Sequence, residues 1–175
     1  MRRRLARSGL LSAVLFLLAS ATTVAATPDA DARFAALSQR YVTELGRHAP
    51  VSATSLGDHR FDEDLDDLSA EGRRRSVAWA RELLGELDGI DRAALSRANQ
   101  VDAAMLDNQL RYSVWTAEAY RDWSWDPLVY TQLAGQALYG LLARDFAPLP
   151  ERLRSLTSRL ERLPGLLEQA RSNLE

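Results

Sequence analysis

The stretch that decides the fold is LPERLRSLTSRLERLPGLLEQARSNL, residues 149–174. Its apolar positions, Leu149, Leu153, Leu156, Leu160, Leu163, Leu167, Ala170 and Leu174, are spaced alternately four and three apart. That is a heptad-like stripe, and it predicts an amphipathic helix. The stripe reads either as the seam of a dimeric coiled coil or as a face packed into the chain's own core. Pro164-Gly165 lies inside it, where proline is expected to kink the helix or divide it in two, which favours packing into the core. In the divided form Pro164 is the first-turn residue of a new helix, with Leu167, Ala170 and Leu174 as its buried face.

Working back from there, helical periods recur and no stretch alternates with period two for the length of a strand. Leu128, Leu133, Ala137, Leu138, Leu141 and Leu142 mark a helix from about Pro127 to Ala143. Ser96 opens a long helix to about Tyr120, with a face of Val101, Met105, Tyr112 and Trp115 flanked by Leu106, Leu110 and Val114. Ser69 caps another, with Val77, Ala80, Leu84 and Leu87 along one side and Asp88-Gly89 at its end. The first helix carries Phe34, Leu37, Tyr41, Val42 and Leu45, and Gly46 and Pro50 signal its stop. Residues 50–68, PVSATSLGDHRFDEDLDDL, are acidic and read as a connector with at most a short helix. The expected fold is all-α, an irregular antiparallel bundle of five to six helices.

Residues 1–26 belong to a different category. Four arginines within the first seven residues precede an apolar run from Gly9 to Ala19, and small residues follow to Ala26. This is the order of a secretory signal peptide. Val24-Ala25-Ala26 places cleavage between Ala26 and Thr27. The apolar run is well short of the ~20 residues that span a bilayer, so no stable membrane anchor is expected. The mature chain, residues 27–175, is expected in the periplasm or outside the cell. Without the four leader arginines, 18 basic residues face 24 acids, a net charge near −6. Such a chain gains nothing from displacing counterions on nucleic acid. It contains no Cys, so packing alone must hold it together.

Candidate chemistry is sparse. Asp62, Asp64 and Asp66 alternate like the start of a calcium loop, but Asp67 stands where that loop needs Gly and Arg73 where it needs Glu. The two histidines do not form a zinc pattern. His48 falls at the end of the first helix, where an imidazolium suits the dipole. His59 sits in the polar stretch GDHRFD without an evident partner. Trp115, Tyr120, Trp123, Trp125 and Tyr130 crowd one helix–loop–helix junction. They read as rings plugging that junction, with an aromatic platform for a peptide or sugar as the alternative. No catalytic, cofactor-binding or metal-ligating residue is assigned.

The order of segments resembles a known family. Pro50 with Ala53-Thr54 and Leu56-Gly57 comes first, then Leu65 to Ser69, Ile90-Asp91, Leu95-Ser96 and WSWDP at 123–127. Arg159-Leu160 with Leu163-Pro164 completes the run. This resembles the beginning of the bacterial domain of unknown function 885 family. The resemblance implies a mostly helical, exported protein, similar to gluzincin-type zinc metallopeptidases and several hundred residues long. The family's His-Glu-x-x-His helix lies far downstream of the matched part, so zinc and a peptide substrate are implied only for a missing C-terminal portion. That portion is the expected partner of residues 27–175, which would be inactive alone. A self-contained periplasmic helical module for binding or dimerisation is the alternative.

Overall fold

The computed structural model describes residues 29–174. The expected leader, its cleavage point between Ala26 and Thr27, and residue 175 lie outside them. Among the described residues every element is helical.

Asp29 opens α1 (Ala30–His48) by accepting a hydrogen bond from the Ala32 N–H at 2.7 Å, which satisfies one of the free donors of the first turn. Gly46 does not end this helix. It is buried within it because the Phe61 ring occupies the space a side chain would need: a Cβ there would lie 2.0 Å from the Phe61 ring. Pro50 likewise begins an element rather than ending one. It starts the seven-residue α2 (Pro50–Leu56), where its missing N–H costs nothing. Gly57, at φ 93°, closes α2 in the left-handed conformation. A single 3-10 turn at His59–Phe61 then leads into the acidic connector.

Ser69 caps α3 (Ala70–Asp88) through the Gly72 N–H, as its position predicts. Ser96 does the same for α4 (Arg97–Trp115) through the Asn99 N–H. A π-helical turn, Thr116–Tyr120, extends α4, and the chain reverses at Arg121, a non-glycine residue at φ 54°. After it come α5 (Leu128–Ala143) and α6 (Leu149–Asn173). Pro164 does not divide α6, which runs unbroken for 25 residues.

α1, α3 and α4 enclose one core, built from Phe34, Leu37, Leu83, Leu87, Leu106 and Leu110 among others. α5 and α6 form a hairpin around a second, smaller cluster of Tyr130, Leu166 and Ala170. α2 lies between the two, touching α1 on one side and α5 on the other. The expected core face of α4 is turned outward, and that of α6 is split, with Ala170 buried and Leu163 and Leu174 packed against the second cluster. On α4 the buried residues are Ala103, Leu106 and Leu110, whereas Val101, Met105, Tyr112 and Trp115 are exposed. On α6 the buried residues are Arg152, Ser155, Arg159, Leu166 and Ala170. Leu149, Leu153, Leu160 and Leu167 are exposed. At 3.6 residues per turn the buried arc of α6 is centred roughly 90° round the helix from the leucine stripe.

Candidate functional site

Arg159 is the largest side chain with no exposed surface, at 0 %. Apolar periodicity gives no sign of it, because a guanidinium is not an apolar position. A buried guanidinium must fill its donors with acceptors, and here three segments of chain supply them. Nε donates to the Asp64 carbonyl at 3.0 Å, Nη1 to the Ala137 carbonyl of α5 at 2.8 Å, and Nη2 to Thr54 Oγ1 of α2 at 2.7 Å. The Thr54 hydroxyl passes its own proton to Asp62 Oδ1 at 2.6 Å. The other oxygen of Asp62 holds His59 Nδ1 at 2.9 Å, and the imidazole stacks on Phe146 at 3.6 Å between ring centres. A connected polar chain therefore runs from the middle of α6 to the surface. Burial pushes the Arg159 pKa down, and the negative charges of Asp62, Asp66 and Asp64 oppose that shift.

The three aspartates of the calcium-like pattern take different partners. Asp62 faces Thr54 and His59, Asp64 approaches Arg162 at 3.5 Å, and Asp66 accepts the Val51 N–H at 3.0 Å. Burial raises the Asp66 carboxyl to about 6, against the opposing pull of the Val51 N–H and the Arg159 charge.

Around this chain the connector is fastened to α6 by side chains between the leucines. Ser158 and Arg162 both donate to the Glu63 carbonyl, at 3.0 and 2.9 Å. Gln169 accepts from the Leu68 N–H at 2.8 Å, and Asn173 donates to the Leu68 carbonyl at 2.8 Å. Arg152 closes the other end of the hairpin, donating to the carbonyls of Leu141, Leu142 and Ala147. His59, Phe146, Arg152 and Ser155 share a cleft of about 410 Å³ with Glu63, Asp64 and Glu151. His59 reaches this cleft with its Nδ1 held by Asp62 and its ring stacked on Phe146.

His48 occupies the last turn of α1 but not in the role expected of it. It stacks on Trp79 at 4.4 Å, and burial lowers its pKa, which favours the neutral ring over the imidazolium.

The aromatic junction divides in two. Tyr130 is buried, donates its hydroxyl to the Trp123 carbonyl at 2.6 Å and accepts from Asn173 at 3.0 Å. Trp123 is pinned under the Arg73 guanidinium, 3.5 Å from the ring centre, with its N–H on the Ala117 carbonyl. These two rings plug the junction, as the sequence reading has it. Trp115, Tyr120 and Trp125 do not. With Tyr112 they form an exposed row, centre to centre 6.1, 5.0 and 5.4 Å. Much of their face area is spent on one another, since Trp115 and Tyr120 are stacked, so the row is suited to edge contacts with a neighbour more than to a flat platform. It stands beside the π-helical turn, where Thr116 Oγ1 is buried without a partner.

Among the described residues no three of His, Cys, Asp and Glu are grouped to hold a metal ion. No helix among them is long and apolar enough to cross a membrane.

Comparison with known proteins adds two findings. The model of a family described as bacterial protein of unknown function (DUF885) matches residues 50–175. A solved structure from Shewanella oneidensis, of a candidate lipoprotein of unknown function, matches 81 % of the chain with a TM-score of 0.75 and 29 % sequence identity. The match covers 26 % of that protein, so the chain spans about a quarter of its length. No curated protein matches.

Proposed function

The chain belongs to the DUF885 family of bacterial proteins of unknown function, and on that premise we propose that it supplies the N-terminal helical scaffold of a longer, exported, metallopeptidase-like protein. One observation carries the reading. The chain shares its fold with only a quarter of a much longer protein, and the leucines it would need for a closed bundle face outward. A monomer that exposes apolar rows on several helices is built to meet more protein.

Export is supported by the character of residues 1–26 and by the lipoprotein description of the Shewanella oneidensis relative. The peptidase part of the proposal rests on the run of motifs alone. The described residues do not fit a zinc site, so the chemistry is assigned to the rest of the longer protein and none is derived through this chain. The contribution of residues 27–175 is mechanical: α1, α3 and α4 give a rigid base, and the hairpin of α5 and α6 presents surfaces to the remainder.

The test is to express the whole reading frame beside residues 27–175. Zinc content and hydrolysis of a peptide library are then measured, with and without a chelator. The longer protein is expected to hold stoichiometric zinc and cleave peptides, and the shorter chain to do neither. An inert, metal-free longer protein, or tight zinc in the shorter chain, overturns the reading. N-terminal sequencing of the exported form is expected to begin at Thr27.

A second reading has one observation in its favour. Because Pro164 leaves α6 unbroken, Leu149, Leu153, Leu160 and Leu167 form a row that could pair with a copy of itself. In that case the chain is a periplasmic dimerisation module. Light scattering then gives twice the chain mass, and Leu160→Asp returns it to monomer.

A further inference from the structure

α5, LVYTQLAGQALYGLLA, contains no charged residue in 16 positions. A helix on a protein surface ordinarily carries charge on its outer face, and one that carries none is ordinarily buried all round. Tyr130, Ala137 and Leu141 are buried on its inner side. On the other side Leu128, Gln132, Gly135, Tyr139 and Leu142 follow one another at intervals of four, three, four and three, and all are exposed, Tyr139 to 73 %. That spacing is the seam of a helix made to lie along another helix.

Gly135 stands at the middle of the seam. Glycine inside a helix is less favourable than alanine, and here nothing in the fold asks for it. Its backbone is not in the left-handed region, and a Cβ would meet no atom within 4 Å. With no side chain at that point, the backbone of α5 is open to close approach along the seam.

We propose that this seam seats a helix from the remainder of a longer family chain, nearest at Gly135 and packed between Leu128, Tyr139 and Leu142. The inference rests on the scaffold reading above. Size counts against a second copy seated on α5 alone. A helix of 16 residues is roughly 24 Å long and about 10 Å wide with its side chains, a footprint of roughly 250 Å². Stable association between separate chains buries roughly 800 Å² on each partner. A helix on the same chain needs far less area, because tethering holds it at high effective concentration.

The sequence has no Cys, so a single thiol reports on the seam. Leu142→Cys is placed in the 175-residue chain and in the product of the whole reading frame, with any downstream cysteines changed to serine. Arg74→Cys, on the exposed side of α3, serves as reference. The Leu142→Cys thiol is expected to react with maleimide at least tenfold more slowly in the longer protein, while the reference thiol reacts equally in both. A second variant, Gly135→Leu, is expected to raise the melting temperature of the short chain slightly, through the better helix former at an open site, and to lower that of the longer protein by several degrees.

Equal Leu142→Cys reactivity in both proteins overturns the seam and leaves the scaffold reading to stand on its zinc and peptide results. Protection of that thiol in the short chain, together with a doubled mass in light scattering, makes the occupant a second copy and also overturns it. A reading frame that stops at Glu175 removes the occupant and the scaffold reading together.

Discussion

Between α1, α3 and α4, ten buried apolar residues from Phe34 to Leu110 close on one another. The cluster between α5 and α6 has three, and the centre of that hairpin is a guanidinium. The first region is held by burial, which is non-directional and tolerant of small shifts. The second is held by hydrogen bonds to fixed carbonyls and one hydroxyl, which are directional and costly to leave unmade. The difference suits two tasks. A closed core stands alone, whereas a hairpin fixed from its polar side is free to keep its apolar side for a neighbour.

Arg159→Ala is the sharpest way to break the comparison. It leaves Thr54 Oγ1 and the carbonyls of Asp64 and Ala137 short of a donor and is expected to cost about 3–5 kcal/mol. The loss should be local. Amide exchange should rise across α6 and residues 58–68 and change little in α1, α3 and α4. Uniform loss of protection would show that the two regions are one cooperative unit. Leu83→Ala, at a site with 0 % exposure, is expected to cost about 3 kcal/mol through the cavity it leaves. Its effect should instead spread through the three-helix core, read as a lower urea midpoint.

Asp66 gives a pH-dependent version of the same contrast. Its carboxyl titrates at about 6 in the fold, above the roughly 4 of an ordinary aspartate. The folded state therefore holds this proton more tightly than the unfolded one. Its stabilising contribution is complete below pH ~4 and is lost as pH rises through 6, a change of up to about 3 kcal/mol. Asp66→Asn is expected to raise the urea midpoint relative to the parent at pH 7 and to match it near pH 4. A variant equally destabilised at both values would show that the carboxylate acts as a helix anchor for Val51 instead. The smallest effect is expected at Leu160. Leu160→Asp on the exposed row should change stability by no more than about 0.5 kcal/mol while reducing self-association in light scattering.

The caps and periods were legible from the residues. Ser69 and Ser96 open their helices where expected, the helices fall in the expected order, and the all-α class follows from them. The faces of α1, α3 and α5 were legible too, since Phe34, Leu37, Ala80, Leu87, Ala137 and Leu141 are buried as expected, but those of α4 and α6 were not. On α4 the row Val101, Met105, Tyr112 and Trp115 is exposed, and the buried side is the one bearing Ala103 with Leu106 and Leu110, two residues the sequence places only on the flank of that row. On α6 the leucines outnumber Arg152, Ser155 and Arg159, yet the polar residues face inward. Periodicity tells how many apolar rows a helix carries, and a helix that touches neighbours on two sides carries two. Which row is covered within these residues depends on where the other helices lie. Gly46 and Pro50 bracket the end of α1 at His48 as expected, and each has a second use the sequence does not show: Gly46 makes room for Phe61 and Pro50 opens α2.

The fastening of the connector to α6 also sets an order of events. Leu68 is bonded to Gln169 and Asn173, Glu63 to Ser158 and Arg162, and Asp64 to Arg159, across 95 to 105 residues of chain. Contacts that far apart close slowly, since the intervening loop must first lose its freedom. The contacts among α1, α3 and α4 close shorter loops, 65 and 68 residues for the bonds of Asp31 to Ser96 and Asn99, and need none of the chain beyond α4. During folding, then, the chain would pass through a stage with its first core formed and residues 58–68 still loose, and the arrival of α6 would end it. A protease that cuts within 58–68 would serve as the clock for that last step.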